Sequence, residues 1–273
     1  MPIEPDSSQK APPLVEVRNL FKSFDEKPVL QGIDASFQAK KTTVVLGPSG
    51  CGKSVLLKHL IGLLRPDSGE VYFDGTRVDT IPEKHMTKLR RQFGFLFQMG
   101  ALFDSLDVRG NIEFPLREAD VHSAEERDHR VHEVLAMVGL ESTIDMMPAE
   151  LSGGQRKRIA LARSIVLKPR AILYDEPTTG LDPIRSDVIN ELILKLQREL
   201  DATSIVVTHD LTSAFKVADY MILMLGGKIV LEGTPDRFEH PEDPEVRRFM
   251  EGRASDEDLR AIRPSEPLIE VNT

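Results

Sequence analysis

Gly47-Pro48-Ser49-Gly50-Cys51-Gly52-Lys53-Ser54, with Val55 next, has the spacing G-x-x-x-x-G-K-S. Glycine lets a backbone approach an anion closely and take positive φ, so that N–H groups can surround phosphate oxygens. Lys53 offers a cation to the same phosphates, and Ser54 offers a hydroxyl to Mg2+. Asp175 and Glu176 end an apolar run, where two adjacent carboxylates can divide the work. One holds a magnesium shell while the other accepts a proton from an attacking water. His209 and Gln98 stand just past two further apolar runs. Cys51 is the only cysteine, which excludes an internal disulfide and fits a reducing compartment. It reads as a small residue at a tolerant loop position; the competing reading is a thiol activated by a helix N-terminus.

These groups can meet only if the runs before them are strands of one sheet, because open α/β sheets bind ligands at the carboxyl ends of their strands. Residues 42–46, 93–97, 171–174 and 204–208 read as buried strands. Residues 55–60 continue the phosphate loop as a helix, whose unpaired N–H groups and positive dipole end face an anion. Residues 14–18 and 29–37 are strand-like, and Phe24 falls in the loop between them, placed either for packing or for lying over an adenine ring. A strand at 70–75 precedes a polar helix reaching Arg91. From Val108 to about 167 the pattern turns helical, with a capping box at Ser123 and Glu126 and an apolar face of Val131, Val134, Leu135 and Val138. His129 and His132, one turn apart among acidic residues, read as a solvated face and not a metal site. Two glycines, Gly153 and Gly154, precede the next helix, and its run Arg156-Lys157-Arg158 reads as solvated. Asp182 and Pro183 supply an N-cap and first-turn proline for a helix to about Leu200. Residues 220–225 and 228–231 form a hairpin about Gly226-Gly227, followed by short helical pieces to about Gly252.

At 273 residues and 40% hydrophobic content the chain can fill a substantial core, and its formal charge of -9 argues against general nucleic-acid binding. The sequence has no run of about 18 apolar residues and begins without the basic and apolar regions of a signal peptide, so a cytosolic chain is expected. Residues 1–13, with four prolines, read as a flexible leader.

Taken in order, the phosphate loop, Gln98, Leu151-Ser152-Gly153-Gly154-Gln155, the Asp175-Glu176 strand end, Gly180-Leu181-Asp182 and His209 closely resemble the nucleotide-binding subunit of ABC transporters. The likeness spans about residues 14–249. It implies an α/β fold: a phosphate-loop NTPase (RecA-like) core with an antiparallel β subdomain and an inserted helical subdomain. On this reading one domain covers 14–250, its helical part about 99–167, and 251–273 is a C-terminal tail. The resemblance further implies ATP and Mg2+ as ligands and a head-to-tail homodimer, in which Ser152, Gly153, Gly154 and Gln155 close on ATP held by the other copy. Phe24 would stack on adenine where the family usually has tyrosine, the loop from Gly47 to Val55 would hold the phosphates, and Ser54, Gln98 and Asp175 would serve Mg2+. Glu176 would be the general base, His209 the γ-phosphate sensor, and Asp182 the link between sites.

The stretch 97–106 with 111–118 is similar to the ATPases of MCE-type lipid transporters, including the Mla phospholipid system. This implies integral membrane permease subunits as partners, with an MCE-domain protein and a small regulatory subunit, at the cytoplasmic face of the inner membrane. Met99, Leu102 and Phe103 would meet the permease, unless they are simply core, and 243–252 would reach the dimer partner. Two alternatives stand beside it. One is an importer ATPase for amino acids or another small solute. The other is a soluble ABC protein acting on DNA or ribosomes, which usually carries coiled-coil or zinc-bearing inserts or a second cassette.

Overall fold

Alternating apolar residues drive the first hairpin, β1 (Pro13–Phe24) and β2 (Lys27–Gln38), to bury Val15, Val17, Leu20, Ile33 and Phe37 on one face. In this computed structural model, which describes residues 12–121, 123–254 and 259, β1 already begins at Pro13, at the end of the expected leader; residues 1–11 lie outside the described residues, as does most of the tail after Ala254. Phe24 closes β1 and is not in a loop; the turn is Asp25-Glu26, both at positive φ. Next come β3 (Thr42–Leu46), α1 (Lys53–Leu60), β4 (Ser68–Phe73), β5 (Thr76–Arg77), α2 (Glu83–Arg90) and β6 (Phe93–Leu96). Strand β6 ends before Phe97, which is exposed. The helical segment holds α3 (Val108–Glu118), α4 (Ala124–Val138) and α5 (Gly153–Ile165). The chain finishes with β7 (Ala171–Asp175), α6 (Pro183–Leu200), β8 (Thr203–Thr208), α7 (Leu211–Val217), β9 (Tyr220–Leu225), β10 (Lys228–Gly233), α8 (Asp236–Glu239) and α9 (Pro244–Met250).

Two sheets result. One is antiparallel, in the order β2-β1-β4-β5; the other is six-stranded, β10-β9-β3-β8-β7-β6, and parallel except for the β9–β10 hairpin. The central strands are buried on both faces, as parallel strands between layers must be. Val44 and Leu46 enter a core shared with α3, α4, α5 and α6, while Val45 enters a second core with α1, α2 and the antiparallel sheet. The expected α/β core, antiparallel β layer and helical layer are therefore all present.

Local details of the helical layer differ from expectation. Ser123 accepts a bond from the Glu126 N–H at 3.2 Å, but among the described residues the returning bond of a capping box is not formed. Gly153 and Gly154 lie inside the first turn of α5 and not before it, because Ser152 is the N-cap, in a reciprocal capping box with Gln155. Among the described residues no group of histidine and acidic side chains is arranged to hold a metal; His132 pairs with Asp128 at 3.6 Å. Helix α9 packs Val246, Phe249 and Met250 on the chain's own larger core.

Asn111, wholly buried, fastens the loop before α3. Its amide donates to the carbonyls of Phe103, Leu106 and Asp107, each at 3.0 Å, and its Oδ1 accepts from Phe103 N–H at 2.8 Å. Replacing it with an apolar residue leaves several buried groups unpaired. Asn111→Leu is expected to lower the unfolding free energy by about 2–3 kcal/mol, read from urea denaturation, while leaving nucleotide affinity intact; an unchanged midpoint would show that the loop does not depend on it.

Candidate nucleotide site

Strands β3, β8 and β7 run side by side, with Leu46 opposite Thr208 and Asp175 opposite Val207. The residues just past their ends, Gly47, His209 and Glu176, are therefore gathered at one carboxyl edge, where an open sheet leaves its crevice. The Glu176 N–H continues the ladder by donating to Val207 O at 2.9 Å.

The phosphate loop leaves β3 with little room for side chains. A Cβ on Gly47 would lie 2.4 Å from Met224 O and 2.6 Å from Cys51 Sγ, and Gly52, at φ 105, would meet Val29 O at 2.9 Å. The loop is thus pressed onto the sheet from beneath, while Pro48, Ser49 and Gly50 form an exposed lip. Helix α1 starts at once, and its first-turn N–H groups on Ser54 and Val55 have no backbone acceptor among the described residues. Lys53 is buried; its Nζ donates to Gly47 O at 2.8 Å and Pro48 O at 3.0 Å and lies 3.5 Å from Glu176 Oε1. A ring of N–H donors around a buried ammonium fits a polyphosphate. Cys51 points into the second core, and burial pushes its thiol up, against the activated-thiol reading.

Ser54 Oγ donates to Asp175 Oδ1 at 2.8 Å. Burial raises the Asp175 carboxyl above its ordinary value, the mark of an acid without a full cationic partner. A hydroxyl and a carboxylate in contact make an oxygen donor set that fits a hard cation such as Mg2+. Gln98 is exposed and makes no hydrogen bond to either group within the described residues.

Glu176 is 8% exposed and has φ 50, left-handed backbone that costs a non-glycine residue about 1–2 kcal/mol. Its Oε2 is 2.9 Å from His209 Nδ1 and accepts from Thr179 Oγ1 at 3.2 Å, while Oε1 faces Lys53. The predicted Lys53, Asp175, Glu176 and His209 are thus brought together, and Thr179 is a further member that the sequence did not single out.

The remaining predicted residues stand apart within the chain. Phe24 is 41% exposed, with Lys22 Nζ 5.4 Å from its ring centre. Ser152 and Gln155 satisfy each other, Gly154 packs beside Arg185, and Asp182 caps α6 through Arg185 N–H at 3.0 Å. None of them shares a hydrogen bond with residues 47–54 among the described residues.

Of the run Arg156-Lys157-Arg158 only Arg156 is exposed; Arg158 is half-buried and Lys157 is buried, against the solvated reading. Arg156 donates to Leu151 O and Arg158 to Val138 O, and Lys157, 7% exposed, donates to Pro177 O and Thr179 O, both at 2.7 Å. A helical stripe of Gly154, Lys157 and Leu161 is buried, and that spacing was the signal available in the sequence.

Residues 30–179 match the protein family described as ABC transporter. The chain is 42% identical over 239 residues to a Mycobacterium tuberculosis protein named probable ribonucleotide transport ATP-binding protein mkl, covering 88% of this chain and 67% of that one. It is 37% identical over 260 residues to the intermembrane phospholipid transport system ATP-binding protein MlaF of Haemophilus influenzae, covering 94% and 97% respectively. Among solved structures, a dimeric post-hydrolysis state of the ATP-binding cassette MJ0796 bound to ADP and Pi superposes with a TM-score of 0.74 at 34% identity, covering 81% of this chain and 98% of that one. With its sheet, phosphate loop and match all in agreement, the chain belongs to the ABC transporter family, as one of its ATP-hydrolysing ATP-binding subunits.

Proposed function

We propose that the chain binds Mg-ATP at the Gly47–Ser54 loop, hydrolyses it as a homodimer, and drives lipid movement, most simply of phospholipid, through separate membrane permease subunits. The observation that carries the lipid assignment is the match over nearly the whole length of the MlaF-named relative. The mkl relatives bear a ribonucleotide name, but the chain spans only two thirds of them.

The chemistry follows from the gathered side chains. Lys53 exchanges its loop carbonyls for β- and γ-phosphate oxygens, a charge-assisted contact. Ser54 and Asp175, joined by Gln98, hold Mg2+, which when bound neutralises charge developing on the phosphates. Glu176 takes the proton of the attacking water, and His209 keeps that carboxylate aimed while contacting the γ-phosphate. In a head-to-tail dimer Ser152, Gly153, Gly154 and Gln155 cover the partner's nucleotide, with the capped N-terminus of α5 directed at its phosphates, and Asp182 joins the two sites. Phe24, at the tip of its hairpin, stacks on the adenine. The dimeric cassettes among the structural neighbours support this assembly. Residues 14–250 act as one domain, with 99–167 as its helical part.

An exposed aromatic groove of about 340 Å³, lined by Phe93, Phe95, Phe97, Phe103, Phe114 and Arg163, flanks the segment assigned to the permease. Phe103 packs against Phe114 with ring centres 4.9 Å apart and the rings tilted by 57°, and Met99 is 89% exposed. Leu102 instead packs against the larger core, so Met99 and Phe103 are the contact residues and Leu102 supports them. Among the described residues no helix is long and apolar enough to cross a membrane, and the permease supplies that part. An MCE-domain protein and a small regulatory subunit complete the assembly at the cytoplasmic face of the inner membrane, and nucleic acid has no role in it.

Glu176→Gln is expected to lower the ATP hydrolysis rate at least about 100-fold, with ATP affinity within about threefold. Hydrolysis at the parental rate would remove Glu176 as the base. Met99→Asp combined with Phe103→Asp is expected to abolish co-purification with the permease while sparing ATP binding; intact assembly and transport would refute the docking face. Mass spectrometry of the purified complex should find bound phospholipid, and finding only small polar solutes would overturn the lipid assignment.

A further inference from the structure

Lys157 sits on α5, four residues past Gly153, yet its ammonium ends in the turn that follows β7. Its Nζ donates to Pro177 O and Thr179 O, each at 2.7 Å, and lies 3.5 Å from Glu176 O. Three carbonyls in four residues thus converge on one three-donor group. Among the described residues no carboxylate forms an ion pair with it, although it is 7% exposed. A buried cation whose direct contacts are neutral carbonyls is costly to desolvate, and the nearby Glu176 carboxylate offsets only part of that cost, so the turn and the ammonium fix each other.

The turn needs such fixing. Glu176 is left-handed at φ 50, and in that backbone conformation its carboxylate reaches Lys53 and His209. The Thr179 hydroxyl that donates to Glu176 Oε2 belongs to the residue whose carbonyl Lys157 holds. One ammonium therefore sets both the backbone and a side-chain donor of the carboxylate.

We propose that Lys157 is a positioning residue for Glu176, clamping the 176–179 turn to α5 so that the carboxylate stays aimed at the attacking water. The proposal rests on the reading of Glu176 as the base. It carries a consequence for the dimer: Ser152 heads the same helix, so the seating of α5 on one nucleotide is mechanically tied to the base of the other site.

The test compares full-length Lys157→Met, which keeps an unbranched side chain without donors, and Lys157→Gln, which keeps two donors on a stem of similar length to methionine's. Lys157→Met should lower kcat at least about tenfold with KM for ATP close to the parental value, and Lys157→Gln should fall between the two. A parental kcat in Lys157→Met, or a fall in kcat matched by a rise in KM, overturns the proposal. If Lys157→Met does not fold, Lys157→Gln decides: reduced kcat at parental KM supports the role, and parental kcat refutes it. Glu176→Gln assayed in parallel separates the two readings. Parental hydrolysis there refutes the base itself, whereas its loss beside a parental rate in Lys157→Met refutes only the clamp.

Discussion

The carboxylate of Glu176 reaches its partners because a non-glycine residue is held at φ 50 at the end of a buried strand. That conformation costs about 1–2 kcal/mol and must be compensated by its surroundings. Val207 O takes the Glu176 N–H, and Lys53, Thr179 and His209 face the side chain. These partners come from α1, from the turn after β7, and from β8 with the residue just past its end, so the site exists only when β3, β7, β8 and α1 are in register. Parallel strands buried on both faces provide that register, since a slip by one residue would exchange Val44 and Val45 between cores.

Electrostatically, the chain satisfies itself in a way that a polyphosphate can replace. Lys53 is bound by two loop carbonyls and approached by Glu176, and Ser54 is bound by Asp175. On the proposed reading, phosphate oxygens would outcompete neutral carbonyls for the ammonium, drawing Lys53 outward and leaving Glu176 to His209 and Thr179. A cation beside Asp175 offsets the burial that raises its carboxyl. Binding at the proposed site would thus separate the acidic and basic groups that hold one another here.

The strands and helices were legible because their periods are strong: continuous apolar runs for the central sheet, alternation for the hairpins, and a stripe at 131, 134, 135 and 138 for α4. Asp175, Glu176 and His209 were legible as strand-end residues. Lys157 was legible only through its place in the 154, 157, 161 stripe, since a basic triplet has the same composition whether solvated or turned inward, and the carbonyls of 176–179 reveal what its ammonium meets. Phe24 was misplaced because the turn is made by Asp25 and Glu26, two acidic residues at positive φ where glycine or asparagine would have announced it. Gln98, Ser152 and Asp182 gain their proposed roles from a ligand or a second chain, so neither the pattern of one chain nor its contacts brings them to the phosphate loop.

On the proposed reading, the phosphate loop is half of a site completed by another copy's α5 when ATP is bound. Sedimentation of the Glu176→Gln chain with and without Mg-ATP tests it most directly, with Lys53→Ala introduced into that chain as the comparison. A monomer without nucleotide, a dimer with Mg-ATP, and a monomer throughout once Lys53 is lost are the expected results. An unchanged monomer in saturating Mg-ATP, or a dimer indifferent to Lys53, would contradict that reading.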